Sequence, residues 1–171
     1  RLAEPGLSGI AALAQRSGLE FLRAIGAGEL PSVPIAETLS FVPIEVEPGR
    51  MVFQGMPRMA FYNPIGSVHG GWISTLLDSA VACAVQSLLP PGKGYTTIEL
   101  NVKFIRAVTV QTGPVRAIGE VINLGRRVGS AEGRLVDAEG TLYAHATTTC
   151  LVLDLPQAPE TKGVEESAKV E

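Results

Sequence analysis

From Gly70 to Leu89 the chain carries one charged residue, Asp78, and no Lys or Arg stands within a helical turn of it. Pro90, Pro91 and Gly92 then end the run. The pattern predicts a helix over 70–89. Its interruptions by Ser, Thr, Asp and Gln fit a buried core helix better than a membrane span. A helix apolar on nearly all sides must be wrapped by the rest of the protein. Burying Asp78 there unpaired would cost on the order of several kcal/mol or push its pKa upward. The fold must therefore offer the carboxylate a partner or open a cavity beside it, and an active site is one such cavity.

The flanking sequence supplies the wrapping. Ile10, Leu13, Ala14, Leu19, Phe21 and Leu22 recur at helical spacing over 7–25, with Gly18 as an interruption, and 26–34 reads as a linker. Residues 38–47 and 50–55 alternate around a turn at Pro48 and Gly49, which predicts a hairpin. Beyond the helix, strand-like segments fall near 95–106, 114–124, 127–137 and 141–153, able to meander antiparallel. The fold class is α+β: a curved antiparallel sheet wrapped around one long helix, with an extra N-terminal helical segment. Its open side invites a second subunit. We expect an N-terminal extension and linker over 1–37, a main domain over 38–153, and a disordered Glu-, Lys- and Pro-rich tail over 154–171.

The totals exclude several classes. A length of 171 residues suits one domain. The net charge of -3, with scattered Lys and Arg, lacks the footprint of a nucleic-acid binder. Cys83 and Cys150 show no metal-ligand spacing, and with two His residues no metal or redox cofactor is expected. Both cysteines read as reduced, buried thiols. The opening residues lack a basic segment followed by an apolar core, so the expectation is a cytoplasmic protein without membrane association.

Gly70 and Gly71 stand at the predicted helix start, where backbone N–H groups lack intrahelical acceptors and share the positive end of the helix dipole. Such a terminus can polarise a carbonyl, and glycine lets a ligand approach closely. Asp78 lies about 12 Å further along by helical rise. One helix cannot aim both groups at the same carbonyl, so if both act, a second subunit completes the site.

Asn63-x-x-Gly66-x-x-His69-Gly70-Gly71, followed by Leu77-Asp78 and Ala80, resembles the signature of hotdog-fold acyl-CoA thioesterases, specifically the phenylacetate-degradation (PaaI-like) branch. The resemblance covers about 38–153. It implies hydrolysis of acyl-CoA thioesters by a homodimer or a dimer of dimers, that is, a homotetramer. Gly70 would supply the N–H that polarises the thioester carbonyl. Asp78 of the partner subunit would be nucleophile or general base. Asn63 would hold the attacking water or the thioester, His69 would orient loop or thioester, and Thr97 matches a Ser or Thr position near the carboxylate. Arg126, Arg127 and Val128 resemble the turn that contacts CoA, and Arg106 ends a strand on the same expected rim. Guanidinium groups suit the phosphates of CoA. Pro64 after Asn63, the long N-terminal extension, and Trp72 as a residue able to narrow the acyl pocket depart from the minimal pattern.

Two other readings compete. A non-catalytic module could bind acyl-CoA as sensor or carrier, against which the intact Asp, Gly and Asn set argues. A hydratase would need an Asp–His or Glu–His pair, and the sequence offers only His69 and His145.

Overall fold

The protein is seen in a computed structural model that describes residues 1–156; the expected disordered tail lies almost wholly outside the described residues. The order is α1 (Gly9–Ala14), α2 (Gly18–Ala27), α3 (Pro34–Thr38), β1 (Phe41–Glu47), β2 (Arg50–Gly55), α4 (Gly70–Gln86), β3 (Lys93–Phe104), β4 (Val115–Leu124), β5 (Val128–Val136) and β6 (Leu142–Asp154). The six strands form one antiparallel sheet in the order β1-β2-β4-β5-β6-β3.

Helix α4 packs against β2, β3, β4, β5 and β6, and Leu76, Leu77, Ala80, Val81, Ala84 and Val85 on it are fully buried. A flat sheet could not touch one helix so widely. The strands bend at β-bulges, where the register shifts at Ile44 in β1, Ile98 in β3 and Ile122 in β4. Close approach also needs a bare backbone. A Cβ on Gly119 would sit 2.3 Å from the Ala80 carbonyl oxygen, so only glycine lets β4 lie against the helix there.

One feature differs from the sequence reading and two are sharpened. The segment 7–25 is two helices, because Ser17 and Glu20 form a reciprocal capping box that starts α2 at Gly18. Gly18 is also a contact point, since a Cβ on it would fall 1.7 Å from the Gln86 carbonyl oxygen of α4. The 26–34 stretch is a linker over 28–33, between the end of α2 at Ala27, where the chain turns through Gly28 in the left-handed region, and the start of α3 at Pro34. Finally, β4, β5 and β6 meander, but β3 does not continue into them. It crosses the molecule to pair with β6 at the far edge.

Candidate active site

The bulge at Ile98 sets the first half of the site. Tyr95 and Thr97 face α4 before it, and Leu100 and Val102 face the core after it, while Ile98 itself is turned outward. The Thr148 hydroxyl donates to the Glu99 carbonyl beside the bulge at 2.8 Å, so that carbonyl is not left orphaned. The result is that the Thr97 hydroxyl donates to Asp78 Oδ1 at 3.1 Å. Ser74, a possible structural partner for Asp78, instead donates to the Gly70 carbonyl at 2.8 Å.

Asp78 lies half-buried on the wall of a largely apolar cavity of about 400 Å³. One wall is a stripe of α4, namely Asp78, Ser79, Ala82, Cys83 and Gln86. The opposite wall comes from the N-terminal helices through Leu13, Phe21, Leu22 and Ile25. Tyr95 flanks both. Burial pushes the Cys83 thiol up to about 12, and burial raises the Tyr95 phenol well above its ordinary value. Both groups therefore stay neutral, which rules Cys83 out as a thiolate nucleophile near neutral pH. Trp72 is not on this cavity: it is buried, stacks on Phe61 with ring centroids 5.6 Å apart, and donates from Nε1 to the Leu39 carbonyl at 2.8 Å.

The second cluster is at the start of α4. His69 is the N-cap, and its Nδ1 accepts from the Gly71 N–H at 2.8 Å. That cap uses one of the terminal donors. Among the described residues the Gly70 N–H has no acceptor, and the Phe104 ring lies so near that a Cβ on Gly70 would meet its Cζ at 2.9 Å. Asn63 braces the preceding loop: its Oδ1 accepts from Ile65 N–H at 3.0 Å and Ser67 N–H at 3.3 Å, and its Nδ2 donates to the Ser67 hydroxyl at 3.0 Å. Asn63, Gly70, Phe104 and Arg106 share a second, more open depression of about 440 Å³. Arg106 is tethered there by donating from Nη1 to the Leu142 carbonyl at 2.7 Å.

The predicted residues thus gather as two groups, Asp78 with Thr97 and Gly70 with Asn63, His69 and Arg106. They do not meet within one chain. Arg126, Arg127 and Val128 form an exposed turn where β5 begins, and β6 aligns Val128 with Leu151 and Thr96. Arg106 follows the opposite end of β3, beside Tyr143. Because β3 and β5 both run antiparallel to β6, the residue after one and the turn before the other lie at opposite ends of the sheet. The expected common rim is therefore not formed within one chain. His145 sits in β6 with Nε2 at 3.5 Å from Glu132 Oε2, which leaves Asp78 without a histidine partner among the described residues. Among those residues no three His, Cys, Asp or Glu side chains converge on a metal position, and no helix is long and apolar enough to cross a membrane.

The sequence reading missed the cavity's far wall and its inner end. Ser17-x-x-Glu20 marked the start of α2, and Gln86 was visible as a polar break in an apolar run, but nothing local said that the two would meet.

The thioesterase superfamily profile matches residues 65–144. A phenylacetic acid degradation-related protein of known structure from Ralstonia eutropha is 32% identical, with 76% of this chain and 98% of that chain covered and a TM-score of 0.70. A variant of the phenylacetic acid degradation protein PaaI from Thermus thermophilus is 28% identical, with 69% of this chain and 97% of that chain covered and a TM-score of 0.63. A Halobacterium salinarum protein named for an inferred esterase activity is 38% identical over 84 residues, and this stretch spans about half of each protein, 48% of this chain and 54% of the relative.

Proposed function

This chain belongs to the thioesterase superfamily, with the hotdog fold, and we propose that it hydrolyses acyl-CoA thioesters at a site shared between two copies. The observation that carries the proposal is Asp78: a half-buried carboxylate on the wall of an apolar chamber, hydrogen-bonded by Thr97 and, among the described residues, with no cation in contact. Asp78 attacks the thioester carbon to form a mixed anhydride that water then opens, or it takes a proton from an attacking water. In both routes the C–S bond breaks and CoA leaves as its thiol. The Gly70 N–H stabilises the oxyanion that develops on the carbonyl oxygen.

Strand β3 supports the shared site. It is an edge of the sheet, twelve residues long by its bounds of Lys93–Phe104, and Ile98 and Phe104 on it are exposed. Such an edge is a template for another strand. Antiparallel pairing with a second copy sets the Gly70 and Arg106 end of one chain against the Thr97 and Asp78 end of the other. The same operation brings Arg106 of one copy toward the Arg126 and Arg127 turn of the other, which restores one basic rim for CoA phosphates. On this reading Asn63 and His69 hold the loop that presents Gly70.

Thiol release from a panel of aryl- and alkyl-CoA thioesters, with wild type beside Asp78→Ala, tests the proposal. Release that collapses in the variant is expected. Binding of acyl-CoA without release by the wild type would make the protein a carrier or sensor instead.

A further inference from the structure

The chamber beside Asp78 has one polar group with no partner. Gln86 is 4% exposed, lines the chamber, and its amide nitrogen makes no hydrogen bond among the described residues. The other polar side chains on that α4 wall are accounted for: Ser79 donates to the Thr75 carbonyl at 2.8 Å, Asp78 accepts from Thr97, and the Cys83 thiol lies beside the Tyr95 hydroxyl. A buried amide donor without an acceptor is costly, and an apolar residue of the same shape would be neutral or stabilising in its place. The amide lies against Gly18 at the start of α2. The last side-chain torsion of Gln is broad and soft, so a small rotation presents the N–H to the chamber.

Distance and volume define what could accept from it. Asp78 and Gln86 stand on one stripe of α4, about 12 Å apart by helical rise. An extended carbon chain advances about 1.2 Å per bond, so roughly ten bonds separate a carbonyl at Asp78 from an atom at Gln86. Ten or so heavy atoms at about 30 Å³ each, the share of a water molecule in its liquid, occupy about 300 Å³. The chamber holds about 400 Å³. Its apolar walls, including Phe21 and Ile25 of the N-terminal helices, suit the methylenes in between.

We propose that the substrates are medium-chain acyl thioesters carrying an oxygen at the far end of the chain, and that Gln86 is the residue that selects that oxygen. This rests on the reading of Asp78 as the hydrolytic carboxylate. Gln86 acts on specificity alone, since it does not touch the thioester.

The test compares ω-hydroxydecanoyl-CoA with decanoyl-CoA for wild type, Gln86→Leu and Gln86→Met, reading kcat/KM and Tm. Wild type is expected to favour the hydroxylated substrate by about tenfold, as for one buried hydrogen bond. Both variants are expected to lose that preference while cleaving decanoyl-CoA at least as well, with Tm unchanged or raised. Equal rates on the two substrates by wild type, or a preference that survives in both variants, would overturn the proposal while leaving thioester hydrolysis intact. So would cleavage of only short or aryl thioesters, or a large fall in Tm in both variants with the preference kept, which would make Gln86 structural. Absence of thiol release from every acyl-CoA would instead remove the hydrolase reading beneath it.

Discussion

The Thr97 hydroxyl meets Asp78 Oδ1 at 3.1 Å, and this contact joins the edge strand to the central helix at the point where the chamber opens on a carboxylate. Thr97→Val keeps the shape and removes the donor. A hydrogen bond to a charged group contributes about 1.5–3 kcal/mol, so kcat should fall roughly 10- to 100-fold if the bond positions the carboxylate for attack. Asp78→Asn should cost more, roughly 10² to 10⁴ in turnover. Thiol release on one substrate measures both, and a Thr97→Val enzyme with wild-type kcat would show that the bond is only structural.

Gly70 separates backbone from side chain cleanly. It is the first residue of α4, where proline is well tolerated because the N–H has no intrahelical acceptor, and His69 before it has φ -62° and ψ 136°, a conformation proline allows in its predecessor. Gly70→Pro and Gly70→Ala both put a Cβ against the Phe104 ring, but only proline removes the N–H. The proline variant should lose roughly 10² to 10³ in kcat relative to the alanine variant, the worth of one oxyanion donor. Equal kcat in the two would place the oxyanion contact elsewhere.

A shared site makes two inactive chains rescue each other. In a mixed dimer of Asp78→Ala and Gly70→Pro chains, one site receives the intact Gly70 of the first and the intact Asp78 of the second. Random mixing after unfolding and refolding should return about a quarter of wild-type activity, half the dimers having one of two sites intact. No rescue from dimers that light scattering shows to have exchanged would confine the site to one chain.

Asp137 gives a pH signature far from the site. Burial works against its charge, but the N–H groups of Thr141 at 2.8 Å and Glu139 at 3.1 Å, with the Tyr143 hydroxyl at 3.1 Å, hold the carboxyl below its ordinary value of 3.8. A depressed carboxyl stabilises the fold above its unfolded pKa, and that contribution is lost as pH falls through the folded value. Wild type should therefore melt above Asp137→Asn at pH 7, and the gap should close as pH drops below 3.8. A gap independent of pH would assign the difference to the turn's geometry instead of the charge.

What was legible in the sequence was local. The long apolar helix, the hairpin at Pro48–Gly49 and the oddity of Asp78 each rest on a pattern within one segment, and the structure places them in α4 and in β1 paired with β2. What was not legible depended on strand order. Nothing between 95 and 106 says that β3 leaves its chain neighbour β4 for β6, whereas the separation of Arg106 from Arg126 follows from strand direction alone, β3 and β5 both running antiparallel to β6. The chamber's far wall depended on long-range contact as well, since Phe21 and Gln86 are brought together only by the seating of α2 on α4 at Gly18. Asn63 lies in the loop before α4 and is bonded to that loop's own backbone, while His69 caps α4 through the Gly71 N–H.

The bulges carry a consequence for how such a chain can change over evolutionary time. A one-residue insertion or deletion inside a strand normally exchanges its two faces and is not survivable. In β3 the ladder to β6 pairs Thr97 with Cys150 and Glu99 with Thr149, so Ile98 is supernumerary to the register. Losing it would straighten the strand and yet leave Tyr95, Thr97, Leu100 and Val102 on the helix side. Ile44 and Ile122 stand in the same position in β1 and β4. Curvature in this sheet can therefore be gained or shed one codon at a time without scrambling the interior.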